Sequence, residues 1–178
     1  PDSSVYINSN EETLVSSDGY KTGSSFDSNK PILLSFSNEA KGGGTTGYTM
    51  GDDIIVPIDN FTTYRGLGGN DTYIISSLSN ENTQITIVDT AGDNIIQIVD
   101  NTKIVSSKWA SDSFQFTLSN GSIYTINGAD DLNYELGGNI ANGDIGTTLD
   151  YYELANIFGV GISNDNSITT ISEDYFII

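Results

Sequence analysis

The chain of 178 residues has no cysteine and no histidine, and six Lys+Arg stand against 24 Asp+Glu, a formal net charge of −18. Without cysteine there are no disulfides and no thiolate metal sites. Without histidine as well, zinc, haem and iron–sulfur centres lose their usual ligands. Neither a Ser-His nor a Cys-His pair can be assembled, and no G-x-S-x-G elbow occurs. A carboxylate pair suited to glycoside hydrolysis has no specificity among 24 acids, so the chain reads as a non-enzyme. The shortage of positive charge argues against nucleic acid and anionic membrane as partners. No apolar run approaches the ~20 residues of a membrane span, and no charged, then apolar leader is present. The start at Pro1 rather than Met is expected of a piece of a longer protein, with any targeting signal outside it.

What is present is a core. Hydrophobic residues make up 37% of the chain, with ten Tyr and seven Phe, enough for one domain and against wholesale disorder. Strands are expected at 5–7, 31–36, 54–56, 72–75, 84–88, 95–99, 113–118, 122–126 and 133–136, separated by Gly, Asn, Asp and Ser. In FQFTLSNGSIYTI, Asn120-Gly121 predicts a two-residue type I′ hairpin that pairs Leu118 with Ile123 and Thr117 with Tyr124. That register leaves apolar groups on both faces, as in a sandwich. One helix is expected at about 148–158, capped by Thr147 or Thr148, with Tyr151, Leu154, Ala155 and Phe158 as its apolar stripe and Gly159 and Gly161 as its stop.

The most informative stretch is GLGGNDTYI, residues 66–74. Gly69-x-Asp71-x-Tyr73 has a counterpart 18 residues earlier, Gly51-x-Asp53-x-Ile55, with Asn60-x-Thr62-x-Tyr64 halfway between, so small, acidic and apolar slots recur with a period of nine. Gly92-Asp93-Asn94-Ile95-Ile96 repeats the pattern out of phase. Glycines that form tight turns expose carbonyls, the Asp adds a carboxylate, and the apolar residue starts an inward strand. Stacked turns of this kind sandwich calcium. The competing reading is an Asx-rich turn before a strand.

On these residues the chain resembles the RTX (repeats-in-toxin) proteins, whose nonapeptide is GGxGxDxUx with U apolar. Gly66, Gly68, Gly69, Asp71 and Tyr73 fit, and Leu67 replaces the second glycine. One good copy and two degenerate relatives are too few for a long parallel β-roll. The succession GGNDTYIIS, AGDNIIQIVD, ASDSFQFTLSNGSIYTINGADDLNYELGGN and a helix ending IFGV is similar to the calcium-dependent ligand-binding domain of bacterial RTX adhesins, over roughly residues 42–161. The resemblance implies a mainly β, Ca2+-stabilised, β-sandwich-like domain with several structural calcium ions. It also implies a surface site for short peptides, in some members through a free C-terminal carboxylate. Residues 1–178 are then a single ligand-binding domain, with N-terminal strands in 1–41 and a C-terminal strand in 162–178.

The expected metal ligands are Asp53 and Asp71, with Gly51 and Gly69 forming their turns. Asp52, Asn70, Asp89, Asp93, Asn94 and Asp130 come next, each open to the plainer reading of a solvated turn residue. For a ligand carboxylate, two glycine-rich loops offer backbone N–H groups. One contains Gly43, Gly44 and Tyr48, the other Gly138 and Asn139, with Asp130 also a candidate. The expected function is extracellular: an adhesion module on a bacterial cell surface that binds a short peptide or protein C-terminus of a partner cell. By resemblance it is monomeric within a larger adhesin exported by type I secretion. A calcium-dependent carbohydrate-binding module, with Trp109 as the one tryptophan, and a non-binding structural cap are the alternatives.

Overall fold

The computed structural model describes residues 5–7, 13–15, 50–77, 81–138, 143, 146–165 and 167–178. The expected strand at 31–36 lies outside the described residues. Strands β1 (Val5–Ile7) and β2 (Thr13–Val15) pair antiparallel with each other.

From residue 54 onward the chain alternates between two sheets. In the first, β3 (Ile54–Ile55), β5 (Thr72–Ile75), β7 (Ile95–Val99) and β11 (Asn133–Gly137) stack in parallel, and β12 (Thr147–Leu149) closes the edge antiparallel to β11. In the second, β4 (Thr62–Tyr64), β6 (Gln84–Val88) and β10 (Ile123–Asn127) stack in parallel. Antiparallel β9 (Ser113–Leu118) and β8 (Lys103–Trp109) extend that sheet, and β13 (Thr169–Ile171) and β14 (Tyr175–Phe176) both pair with β8. The protein is therefore mainly β and sandwich-like, built from short coils that place one strand in each sheet.

The repeat sets the coil. Ile54 pairs with Thr72, and the turn before it sits 18 residues below its stacking partner, two nonapeptides along. The next coil takes 23 residues and the one after 38, because the β8–β9 hairpin is inserted there. Strand period 2 then sorts the side chains. Ile55, Tyr73, Ile96 and Tyr134 form one inward column, faced by Tyr64, Ile87 and Ile126 from the other sheet. Trp109 is buried beside them, with ring centroids 4.0 Å from Phe114, 5.2 Å from Phe158 and 5.8 Å from Tyr151.

Two local expectations are corrected. The hairpin register is shifted by one residue: Thr117 pairs with Ile123 and Phe116 with Tyr124. The loop takes residues 119–121, with the Leu118 N–H donating to the Ser122 carbonyl at 2.8 Å and Gly121 at φ +83°. This is a three-residue hairpin with a glycine bulge, the main alternative to the I′ turn. Burial selects it, because it turns Phe114, Phe116, Leu118, Tyr124 and Ile126 all to the core and leaves Gln115, Thr117, Ile123 and Thr125 outside. The β9–β10 pair thus turns its large apolar side chains to one face, with Ile123 the exception on the other.

Helix α1 (Tyr151–Ile157) is also shorter than expected. Thr147 and Thr148 belong to β12, and the cap is Asp150. Asp150 Oδ1 accepts the Glu153 N–H at 2.7 Å while Glu153 Oε2 accepts the Asp150 N–H at 3.0 Å, a reciprocal capping box. The stripe holds, with Tyr151, Leu154 and Ala155 buried on the core, and Gly159 at φ +71° ends the helix.

Coil spacing is tightest at Gly92, where φ is +116° and an added Cβ would lie 1.8 Å from the Gly69 carbonyl oxygen. Gly92→Ala must push two coils apart and adopt a left-handed backbone. It is expected to cost at least about 2 kcal/mol, several degrees in Tm by calorimetry.

Candidate functional site

The turns that enter β3, β5 and β7 are Gly51-Asp52-Asp53, Gly69-Asn70-Asp71 and Gly92-Asp93-Asn94, and the structure stacks all three in one column. Gly92-Asp93-Asn94 is out of phase in sequence but in register in space, because its longer coil absorbs the extra residues. Two rows of side chains lace the column together. In the outer, exposed row the Asn70 N–H donates to Asp52 Oδ1 at 2.7 Å and the Asp93 N–H to Asn70 Oδ1 at 2.9 Å. In the inner, buried row the direction reverses: the Asp53 N–H donates to Asp71 Oδ1 and the Asp71 N–H to Asn94 Oδ1, both at 2.8 Å.

Behind the inner row a third carboxylate closes in. Asp53, Asp71 and Asp89 are only 1%, 0% and 4% exposed. Asp89 Oδ2 accepts the Tyr73 hydroxyl at 2.6 Å and the Gly66 N–H at 3.0 Å. A Cβ on Gly66 would fall 1.8 Å from Asp71 Oδ2 and 2.5 Å from Asp89 Oδ2, so the two oxygens converge where this glycine has no side chain. Asp71 Oδ2 and Asn94 Nδ2 are buried without a hydrogen-bond partner.

That arrangement is electrostatically unfavourable for a bare carboxylate. Burial pushes the Asp71 carboxyl up to about 8, and the charges of Asp89 and Asp53 add to the rise against the opposing Asp53 N–H. Burial, then the Asp89 charge, raises the Tyr73 phenol far above its ordinary range, so it remains a donor. The donor set is all oxygen, the chemistry of a hard cation. Asp71 and Asp89 would hold such an ion. Among the described residues no group of three or more acidic, Cys or His side chains is arranged to hold a metal, so further ligands would have to be carbonyls or water.

The other expected residues fall as follows. Asp130 is exposed in a 3-10 helix, Ala129–Asp131, which stands before β11 as Gly92-Asp93-Asn94 stands before β7. Buried Leu132 takes the place of Asn94 there, so the polar inner row stops at β7. Gly138 is buried, and its nitrogen lies 2.8 Å from where a Gly146 Cβ would be. Gly43, Gly44, Tyr48 and Asn139 lie outside the described residues. The roles of the Tyr73 hydroxyl and of Gly66 as the floor of the acid cluster were not evident in the sequence, where both simply fill nonapeptide slots.

The opposite turns, before β4, β6 and β10, are built differently. Asn60 Oδ1 accepts the Gln84 N–H at 2.8 Å, and the Thr83 hydroxyl donates to Ser122 Oγ at 3.0 Å. Amide and hydroxyls do there what carboxylates do on the other edge. Comparison with family models, with curated proteins and with solved structures returned no match.

Two expectations follow. Asp71 has an ordinary value near 3.8 and a folded value of about 8. Its contribution to metal-free stability is therefore complete below about pH 4 and lost as pH rises through 8. Melts of metal-free protein between pH 4 and 9 should show this slope, and Asp71→Asn should flatten it. Leu67, 45% exposed, holds φ +86° in the slot where the nonapeptide has its second glycine. Leu67→Gly is expected to stabilise by about 0.5–1 kcal/mol, as relief of left-handed strain exceeds the added chain entropy. Urea titration measures that difference directly.

Proposed function

We propose that the protein is an extracellular, calcium-ordered adhesion module of an RTX adhesin that binds short peptides or protein C-termini on a partner cell. The observation that carries the calcium part is the buried, unpartnered Asp71 Oδ2 facing Asp89 in a stack of Gly/Asx turns. In the absence of metal a proton must neutralise this site. In millimolar calcium the ion takes that place, with Asp71 and Asp89 holding it, and binds the folded state only. Each such site adds RT ln(1+[Ca]/Kd), about 2.7 kcal/mol at a hundredfold excess. In a calcium-poor cytosol the coils remain loosely joined, so folding is coupled to export.

Recognition of a ligand rests on the resemblance and on the glycine-rich loops that contain Gly43, Gly44 and Tyr48, or Gly138 and Asn139. Glycine-rich sequence of this kind offers backbone N–H groups that suit a terminal carboxylate. No catalytic step is assigned.

The calcium test is a pair of thermal melts at pH 7.5, in millimolar calcium and in EGTA. Wild type should gain many degrees with calcium, whereas Asp71→Asn, isosteric and still able to accept the Asp53 N–H, should lose most of that gain. An unchanged wild-type Tm would sink the reading. A peptide array probed in calcium should then give hits with free C-termini that vanish on amidation.

A further inference from the structure

The outer face of the second sheet carries a different chemistry from the acidic edge. One residue from each strand falls in register across it: Thr63, Thr86, Thr125, Gln115, Lys108 and Thr170. A surface depression of about 300 Å³ lies over this row between β4 and β9, with Thr63, Gln84, Thr86, Ile123 and Thr125 among its walls and Phe61 at its end. A second of about 260 Å³ continues it toward Lys108 and Ile168, the two sharing Gln115 and Thr125. At the ~4.8 Å spacing of strands, Phe61 to Gln115 spans about 14 Å.

Three features of the Phe61 depression point to one class of ligand. Its walls hold no charged residue, in a chain with 24 acids and a net charge of −18. Phe61 is 78% exposed and sits at φ +55°, so the fold presents an aromatic ring to water from a left-handed backbone. The turn that does this is fixed, since the Phe61 N–H donates to the Gln84 carbonyl at 2.7 Å and Asn60 Oδ1 accepts the Gln84 N–H. Threonine methyls and Ile123 give the floor an apolar layer, with hydroxyls and amides set into it. The Gln115 Nε2 donates to Thr125 Oγ1 at 2.9 Å, which holds the amide in place and leaves its oxygen for a donor.

From this geometry we infer that the outer face of the second sheet is a glycan-binding trough for neutral pyranose units, with Phe61 as the stacking platform. A sugar ring has an apolar C–H face that matches an aromatic ring, and a rim of hydroxyls that both donate and accept, as Thr and Gln do. A peptide strand is a poorer match: strand addition needs a sheet edge, and the backbone groups under this face are already paired in the ladders. A polyanion gains nothing from the Phe61 depression, whose walls carry no positive charge; Lys108, the one charge in the row, lines the second depression. Trp109 is buried in the core and is not a platform, so Phe61 takes that role. The trough is separate from the calcium-ordered turns and does not depend on the peptide reading.

The test uses the full chain in calcium, with maltotriose, cellotriose and mannotriose as neutral probes. Methyl and aromatic NMR should show saturable shifts confined to Phe61, Thr63, Thr86, Ile123 and Thr125 for at least one of them. Phe61→Ala, at an exposed position, should keep the wild-type Tm and weaken that binding at least tenfold. Thr125→Lys, which plants a charge on the floor, should abolish it. The inference is overturned if none of the three sugars gives saturable shifts, or if affinity is unchanged in Phe61→Ala.

Discussion

The close approach of successive turns is the constraint on which the rest of this structure depends. Coils of a parallel stack sit about 4.8 Å apart, and at the turns the backbone of one coil must face the next without a side chain between. Gly69 and Gly92 meet that requirement, each with a left-handed φ and with a carbonyl of the neighbouring turn where a Cβ would be. The Asx side chains complete it by hydrogen-bonding across coils in both directions. With the turns locked, the strand registers follow, and with them the inward columns of Ile and Tyr. A slip of one residue would turn each column outward.

The same lacing creates the electrostatic problem. An Asx side chain is the right length to reach the next coil, and two of the stacked positions, Asp53 and Asp71, and their neighbour Asp89 are buried acids. Amide would serve the hydrogen bonds equally well, as Asn94 and Asn60 demonstrate. Asp71 and Asp89 therefore hold a charge that the fold does not need for its hydrogen bonds and must neutralise. A proton can do so, since burial pushes the Asp71 carboxyl up to about 8, and a divalent cation would do the same without protonation. The edge that carries Asn60, Thr83 and Ser122 has no such problem, so the acids on the first edge are a choice of chemistry, not a structural requirement.

Much of this was legible in the chain, for a physical reason. The strands at 72–75, 84–88, 95–99 and 113–118 have the expected bounds because each is a short β-branched or aromatic run between turn formers. The nine-residue period fixed the first coil at 18 residues. Strand β8 was not expected, since KIVSSKW carries two serines and a lysine and joins β9 through an irregular register at Ile104 and Ser106. The hairpin went to the wrong register because Asn-Gly is a local signal, and five side chains turned to the core outweigh it. Helix α1 kept its stripe but shifted its start, since pairing with β11 claims Thr147 and Thr148 before any cap can form. Within the candidate site, the acids were visible one by one, but their convergence was not. Asp71 and Asp89 lie on different coils, and only stacking brings them to Gly66.

Parallel stacking also explains why the two surfaces differ so sharply. In a coil, turn residues repeat along one edge and outward strand residues repeat across one face, so any preference at a slot becomes a line of like residues. On the acidic edge that line concentrates negative charge until it must be neutralised. On the outer face of the second sheet it lines up Thr63, Thr86 and Thr125, uncharged and evenly spaced. The backbone polar groups beneath that face are taken up by the ladders, so only side chains remain to meet a ligand. One architecture thus yields an edge with buried carboxylates and a face lined by hydroxyls and amides, and neither needs residues from the other.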